Sequence, residues 1–300
     1  MIAGRMEDGK VIPFLGAGAN LCGRPETVDW RGEGGERYLP SGSELADYLA
    51  EEFAYPEGEP RDLVRVSQYV DLATGGEAAL FETLHSLFSR ELAPNPLHAF
   101  LAELPARNRE RGARVPCQLI VTTNYDDALE RAFDAAGEAV DIVYYAAEPD
   151  EPGRFVHISP DGERREIPRH TDYVGLSPEE RTVILKIHGA IDRTDEGADS
   201  YVITEDHYID YVARTNVSKL IPAALMARMR TSHFLFLGYG MRDWNLRVVL
   251  HYVWSQQVRR FGSWAVQDRP DEIDERFWQR HRVEIVRARL EDWLVAMNGR

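Results

Sequence analysis

Apolar and polar positions along the chain follow two alternating patterns. Short apolar runs such as "KVIPFL" at 10–15 and "QLIVTTN" at 118–124 are typical of buried strands, and stretches with apolar residues at helical spacing lie between such runs. Further strand-like runs lie at 140–145, 182–189, 233–240, 262–267 and 283–286. This alternation predicts an α/β fold built on one Rossmann-like parallel sheet with helices on both faces.

The first predicted helix covers 41–53, where Ser41 opens a stretch in which Leu45, Leu49 and Phe53 recur every four residues. Three more helices are predicted before the second strand, at 63–73, 78–90 and 96–104. We therefore expect a helical insertion at about 41–110, after the first strand. Later helices are predicted at 126–136, 204–214, 219–229, 243–254, 271–278 and 290–297.

A polar stretch at about 146–181 is rich in Pro, Gly, Asp and Arg, and one hairpin is expected in it around Asp161-Gly162. The sequence contains no internal repeat, low-complexity segment or flexible linker. Both insertions therefore read as elaborations of a single domain that covers residues 1–300.

Two of the predicted strands are followed by glycine-rich segments. In "FLGAGAN", Gly16 and Gly18 allow a sharp turn and let a pyrophosphate approach backbone N–H groups, although a tight strand-to-helix turn explains them equally well. The loop is neither a Walker loop nor a complete G-x-G-x-x-G motif. In "FLGYGMRDWN", Gly238 and Gly240 again permit close approach of a ligand, and Asp243 is placed to cap the next helix.

Two other strand ends carry polar side chains. Asn124, Asp126 and Asp127 follow the strand at 118–124, and His188 ends the strand at 182–189. An aspartate here can cap the following helix, and we assign that role to Asp127. Because ligands of open parallel sheets bind beyond the carboxyl ends of the strands, Asn124, Asp126 and His188 are predicted to face a cleft. A purely structural histidine is the alternative for His188.

The charge, the cysteine count and the length of the apolar runs argue against several classes of protein. The chain has 35 basic and 50 acidic residues, a net charge of −15, so direct nucleic-acid binding is not expected. Only two cysteines are present, which excludes a disulfide framework and a four-cysteine zinc module and suits a reducing cytoplasm. No apolar run approaches the roughly 20 residues that span a bilayer, and the N-terminus lacks the pattern of a signal peptide. We expect a cytoplasmic protein without a membrane segment.

Four motifs in chain order resemble those of the sirtuin-like superfamily of NAD-consuming domains, and in particular its bacterial anti-phage defence branch. They are "GAGAN", "TTNYD", "IHG" and "GYGMRD". In that superfamily they form the glycine-rich NAD loop, the segment beside the nicotinamide ribose, the catalytic His-Gly and a late glycine-rich strand end. The NAD-binding residues that the resemblance implies are Gly16, Ala17, Gly18, Asn20, Arg24, Thr123, Gly238, Tyr239, Gly240 and Asp243.

The sequence departs from the sirtuin deacetylases in two respects. It cannot supply their two Cys-x-x-Cys pairs, so no zinc is predicted, and "LCGRPE" stands where they carry Gly-Ile-Pro-x-Phe-Arg, with Arg24 as the candidate for that arginine. Without the zinc module, part of the frame that holds an acetylated peptide is missing. The resemblance therefore implies that water attacks NAD, which yields nicotinamide and ADP-ribose.

The resemblance also implies roles for the polar strand ends. Asn124 would hold the water or a ribose hydroxyl, because an amide both donates and accepts hydrogen bonds. His188 would act as general base, and Asp126 would bond the nicotinamide or the ribose hydroxyls. An NAD-dependent protein deacylase and a non-catalytic NAD- or ADP-ribose-sensing module remain the alternatives. A Rossmann dehydrogenase fits less well, because the glycine spacing differs.

Our expectations about the regulation of this protein come only from the resemblance. Related toxic NADases cause abortive infection by depleting NAD, and they are fused to sensor domains or work with separate partners. No sensor is visible after the last predicted helix, so we expect a homo-oligomer or a separate activator, such as a HerA-type DNA-translocating ATPase or a short Argonaute. The helical insertion, Trp278 and Trp293 are candidate interfaces, and burial in the core is the alternative for the two tryptophans.

Overall fold

The structure is a computed structural model that describes residues 2–32, 38–147, 153–213, 221–240, 250, 253–254 and 261–299. The strands of the described residues are β1 (Val11–Leu15), β2 (Leu119–Thr122), β3 (Val140–Ala146), β4 (Arg154–Ile158), β5 (Arg164–Ile167), β6 (Thr182–Lys186), β7 (Gly189–Ala190), β8 (Ser200–Tyr201), β9 (His233–Leu237), β10 (Ser263–Gln267) and β11 (Val283–Arg287). Nine of them form one sheet in the order β11-β10-β9-β1-β2-β6-β3-β4-β5. The two short strands β7 and β8 pair with each other.

Most of the sheet is parallel, as the sequence predicts. β1 pairs in parallel with β2 and β9, and the parallel pairing continues through β6 to β3 on one side and through β10 to β11 on the other. The polar stretch adds an antiparallel edge, because β4 and β5 form a hairpin around Asp161-Gly162 that continues the sheet from β3. The sequence predicts this hairpin but not its place in the sheet, since β5 is mostly exposed and lacks a buried apolar run.

Helices cover both faces of the sheet, which confirms the predicted layers. The strand residues alternate between the faces, so that Phe14 and Leu185 point to one core cluster whereas Leu15 and Ile184 point to the other. The helices on the Phe14 face are α7 (Glu205–Ala213), α8 (Ala223–Arg230) and α9 (Glu272–Arg280). Those on the Leu15 face are α1 (Ile2–Glu7), α5 (Pro96–Glu110), α6 (Ala128–Ala135) and α10 (Leu290–Asn298). Trp278 and Trp293 are buried in these two clusters, so both are core residues.

The remaining helices are α2 (Gly42–Glu52), α3 (Leu63–Thr74) and α4 (Ala78–Phe88). They form a third apolar cluster, which Tyr125 and Tyr201 join from the ends of the strands. Ser41 starts α2 through a capping box, because its hydroxyl accepts the Glu44 N–H and the Glu44 carboxylate accepts the Ser41 N–H. The helical insertion therefore lies against the edge of the sheet where the predicted site residues are found.

Helix α5 is longer than the sequence predicts. The expected end at residue 104 follows from Pro105, which has no N–H to donate to the carbonyl of Leu101. In the structure the helix continues to Glu110, and the Leu101 carbonyl accepts a hydrogen bond of 2.8 Å from Nε2 of Gln118. A side chain at the start of β2 thus replaces the missing backbone donor.

The helix predicted at 243–254 lies largely outside the described residues. Among the helices that the structure describes, none combines the length and the apolar character needed to cross a bilayer.

Candidate functional site

The carboxyl ends of β1 and β9 meet where the strand order of the sheet reverses. From β1 the order runs through β2 and β6 in one direction, and through β9 and β10 in the other. In open α/β sheets this switch point is where ligands bind, in the crevice beyond the strand ends. The two glycine-rich motifs of the sequence lie on the two sides of this point.

The glycines of the two motifs pack directly against each other. The N–H of Gly16 donates to the Leu237 carbonyl at 3.1 Å, and the N–H of Gly18 donates to the Gly238 carbonyl at 2.9 Å. A short 3₁₀ helix, Ala17–Leu21, follows, so the strand-to-helix turn is present. Because two N–H groups of the loop are used within the protein, the pyrophosphate-binding role of Gly16, Ala17 and Gly18 stays a prediction.

The packing of the two loops explains why glycine is needed there. Gly238 has a φ of +61°, and a Cβ built on it would lie 1.9 Å from the backbone nitrogen of Ala19. A Cβ on Gly18 would lie 2.7 Å from the Gly238 carbonyl oxygen. Tyr239 turns its ring into the core against Phe14, at a centroid distance of 5.8 Å. Gly240 is exposed, and a Cβ on it would meet no atom of the described residues within 4 Å.

A cavity of about 310 Å³ opens beside these loops, at the carboxyl ends of β9, β10 and β11. The predicted residues Gly238, Tyr239 and Gly240 line it. Its other walls include Gln267 and Asp268, two polar residues that the motifs do not include. Asp243, also predicted to bind NAD, lies outside the described residues.

Polar side chains that follow β1 and β2 in the sequence form a buried series of hydrogen bonds. Nδ2 of Asn20 donates to Oδ2 of Asp126 at 2.9 Å, and Nδ2 of Asn124 donates to Oδ1 of Asn20 at 3.4 Å. Asn20 and Asp126 are both buried. The amide oxygen of Asn124 is also buried and has no hydrogen-bond partner among the described residues. The series thus ends in an unsatisfied acceptor at the end of β2.

The two aspartates after β2 make different contacts from those that the sequence predicts. Asp127 occupies the N-cap position of α6, but its side chain makes no capping bond. The capping bond comes from Asp126, whose Oδ1 accepts the N–H of Ala128 at 3.1 Å. Asp127 instead pairs with Arg131 at 3.0 Å and with Arg193. Burial opposes the ionised carboxylate, but these arginines lower the pKa of Asp127 below its usual value.

His188 follows β6, and Asn124 follows the neighbouring strand β2 at the same end of the sheet. The N–H of Ile187 donates to the Thr122 carbonyl at 3.0 Å, so β6 keeps its parallel register with β2 up to this histidine. His188 is buried and packs against the rings of Tyr208 and Tyr211 in α7, with centroid distances of 5.6 and 5.9 Å. Helix α7 therefore covers the predicted general base.

The backbone after His188 requires a glycine. Gly189 has a φ of +100°, and a Cβ on it would lie 2.0 Å from the carbonyl oxygen of Ser200. The His-Gly pair of the motif is therefore also a steric feature of this turn. It lets β8 approach His188, whose carbonyl accepts the Val202 N–H at 2.8 Å.

Two further predicted residues lie near the loops. Thr123 is half-buried, and its N–H donates to the Leu15 carbonyl at 3.1 Å. Arg24 is paired with Glu44 at 2.7 Å, and its Nη1 is buried without a hydrogen-bond partner among the described residues. Burial favours the neutral acid, but the hydrogen bonds from Arg24 and Ser41 outweigh it and lower the pKa of Glu44. NAD contacts of Thr123 and Arg24 stay predictions.

The structure adds three residues that the motifs did not indicate. Nδ2 of Asn95 donates to the Ala19 carbonyl at 2.8 Å and so holds the glycine loop from α5. His98 is buried near Asp126, and burial lowers its pKa to about 4, an effect that Asp126 only partly offsets. Lys186 is buried behind Asp126. Of these three residues, only Lys186 could have been noticed in the sequence, because it is a charged residue within the apolar segment "TVILKIHG".

The described residues contain no group of three or more His, Cys, Asp or Glu side chains arranged to hold a metal ion.

Comparison with known proteins identifies the family of this chain. The family model of the SIR2-like domain matches residues 118–286, which is more than half of the chain. The matched region includes Asn124, Asp126, His188 and Gly238, whereas the loop Gly16–Asn20 precedes it.

Individual relatives match more of the chain. An NAD(+) hydrolase ThsA from Enterococcus faecium is 26% identical over 82% of this chain, and one from Cytobacillus dafuensis is 24% identical over 81%. The defense-associated sirtuin 2 of Bacillus subtilis is 25% identical over 85%. The chain spans 40%, 41% and 20% of the lengths of these three proteins, respectively.

Proposed function

Because this chain belongs to the SIR2-like domain family, we propose that it is an NAD⁺ hydrolase that cleaves the nicotinamide–ribose bond to give nicotinamide and ADP-ribose. Two kinds of relatives support the proposal: proteins named NAD(+) hydrolase ThsA and one named defense-associated sirtuin 2. The observation on which it rests is the buried, unsatisfied amide oxygen of Asn124, at the end of the strand that pairs with the one leading to His188.

Asn124 provides an acceptor whose direction is set by its neighbours. Its Nδ2 is held by Asn20, which is in turn held by Asp126, so the amide cannot rotate without breaking this chain. The free Oδ1 can then accept a hydrogen bond from a water molecule or a ribose hydroxyl. In this assignment Asp126 acts through Asn20, which differs from the direct contact with nicotinamide or ribose that the resemblance implies.

The proposed reaction balances as a hydrolysis. The bond between C1′ of the ribose and the nicotinamide nitrogen breaks, and its electron pair neutralises the positive ring. A water oxygen bonds to C1′, and His188 accepts the proton that this water releases. Positive charge develops on the ribose in such reactions, so a nearby amide oxygen stabilises the transition state.

The cavity at the ends of β9, β10 and β11 suits the other end of NAD. It adjoins Gly238 and Gly240, and it offers the carboxylate of Asp268 and the amide of Gln267 to hydroxyl groups. We assign the adenosine half of NAD to this cavity. The pyrophosphate would then cross the switch point near the two glycine loops.

The test is NAD consumption by the purified chain, with chromatographic separation of nicotinamide and ADP-ribose. Asn124→Ala and His188→Ala should each lower kcat by about 100-fold or more. Matched controls are Asn108→Ala and His157→Ala, which remove a buried amide and a buried imidazole far from the switch point. The proposal fails if folded Asn124→Ala and His188→Ala variants keep the wild-type rate.

The same assay separates the alternatives. O-acyl-ADP-ribose formed in the presence of an acetylated peptide would indicate a deacylase. NAD binding without consumption, both by the purified chain and in cells after phage infection, would indicate a sensing module. Both outcomes contradict the proposed hydrolase.

We further propose that the NADase acts as the toxic effector of an anti-phage system in the bacterial cytoplasm. A homo-oligomer and a separate activator, either a HerA-type ATPase or a short Argonaute, are the proposed assembly. Measurement of cellular NAD after phage infection, with wild type and Asn124→Ala expressed in parallel, tests the effector role.

A further inference from the structure

Lys186 is a buried cation that the motifs leave without a role. It is the last residue of β6 and only 1% exposed. Its ammonium donates to the backbone carbonyl of Asp126 at 2.6 Å and to the carboxylate of Glu130 at 2.7 Å. A buried ammonium is costly unless it is paired and hydrogen-bonded, so each of these contacts offsets part of the cost of its burial.

The Asp126 contact connects Lys186 to the proposed site. Lys186 holds the backbone of Asp126, and the Asp126 carboxylate holds Asn20, which holds Asn124. The ammonium thus lies at one end of a chain of four residues, and the unsatisfied oxygen of Asn124 lies at the other end. Movement of the Asp126 backbone would pass directly to the Asn124 amide.

We propose that Lys186 is a positioning residue for Asn124, because it fixes the turn from which the Asp126–Asn20–Asn124 chain is built. The inference rests on the proposed function, since Asn124 is the amide assigned to NAD. A small displacement of a reacting group costs about 100-fold in rate, so loss of this hydrogen bond should lower kcat by about 10- to 100-fold. KM should change little, because the cavity at β9–β11 is not altered.

Glu130 allows the ion pair to be separated from the positioning role. Lys186→Met alone leaves the Glu130 carboxylate unpaired, and this variant is expected to lose stability for that reason. Lys186→Met/Glu130→Gln removes both charges, so stability should largely return, but the Asp126 carbonyl still lacks its donor. Glu130→Gln alone should also lose stability, because the buried ammonium loses its carboxylate, but it keeps the donor to the Asp126 carbonyl and should keep kcat within about twofold of wild type.

Arg228 provides a matched control at the opposite end of the sheet. It is a half-buried cation that donates to the backbone carbonyls of Cys117, at 2.7 Å, and Pro178. Arg228→Met therefore removes the same kind of contact as Lys186→Met. It should lower the free energy of unfolding without changing kcat.

Two measurements decide the question: kcat for NAD, and the NMR signals of the Asn124 side-chain amide, identified by their loss in Asn124→Ala. The double variant should have lower kcat and shifted Asn124 signals, whereas Glu130→Gln and Arg228→Met should have neither change. A wild-type kcat or unshifted signals in the folded double variant would overturn the inference. If the purified wild-type chain consumes no NAD without its proposed activator, the amide signals alone decide the positioning role, and the measurement of cellular NAD after infection decides the proposed function.

Discussion

At the scale of single residues, the two glycine motifs allow the backbones of their loops to pack against each other. Neither motif predicts this contact when it is considered alone. Gly18 and Gly238 lie on loops separated by most of the chain, and each leaves room for the backbone of the other. The sequence predicts that glycines at strand ends permit close approach. It does not show that the approaching group is the protein's own backbone.

Gly238→Ala should therefore destabilise the fold. A left-handed backbone costs an alanine about 1–2 kcal/mol, and the contact of its Cβ with Ala19 adds to this cost. Gly240→Ala is the matched control, because its φ is not in the left-handed region and its Cβ meets no atom within 4 Å in the part of the chain that the structure describes. Urea unfolding should show a loss of more than about 1 kcal/mol for Gly238→Ala and little change for Gly240→Ala. Equal effects of the two substitutions would contradict this account of the loop contact.

The site residues that could be predicted are those on strand ends. Asn124 and His188 follow apolar runs, and parallel strands bring such ends to one edge of the sheet. The roles of Asn95, His98 and Lys186 depend on how α5 and α6 pack on the sheet, and local patterns do not encode that packing. The sequence assigns the helix cap to Asp127, whereas the Asp126 carboxylate accepts the Ala128 N–H and the Asp127 carboxylate pairs with Arg131 and Arg193.

At the scale of elements, helix α5 shows how tertiary structure overrides a local rule. A proline inside a helix removes a donor, so a helix end before Pro105 is the expectation from sequence. Gln118 lies far from Leu101 along the chain but contacts its carbonyl in the fold. Strand boundaries were easier to predict, because the buried runs of β1, β2 and β9 are short and continuous.

The α5 arrangement predicts a non-additive pair of substitutions. Gln118→Ala should cost about 1–3 kcal/mol, because it leaves the buried Leu101 carbonyl without a donor. Pro105→Ala supplies a backbone N–H that can bond the same carbonyl. In Pro105→Ala/Gln118→Ala, the loss due to Gln118→Ala should therefore be smaller than in the wild-type background. A double-mutant cycle of unfolding free energies measures the difference, and strict additivity would contradict the interpretation.

At the scale of the whole molecule, the helical insertion is connected to the proposed site through α7. Gln68 of α3 exchanges two hydrogen bonds with Asp206 at the start of α7, of 3.0 and 2.9 Å. His207 bonds the carboxylate of Glu77 before α4, and this contact lowers the pKa of Glu77. Tyr208, the next residue of α7, packs on His188. The layered sheet was predictable from strand and helix periodicity, whereas this connection depends on long-range side-chain contacts.

Loosening of α7 from the insertion should expose the region around His188. Gln68→Ala removes both hydrogen bonds to Asp206, so the amides of α7 should exchange with solvent roughly 10-fold faster. Hydrogen-exchange mass spectrometry of peptides from α7 and α10 measures this, and α10 should be unchanged because it packs on the other face of the sheet. Gln279→Ala, at an exposed glutamine of α9, is the matched control. Unchanged exchange in α7 of Gln68→Ala would mean that the insertion does not hold this helix over His188.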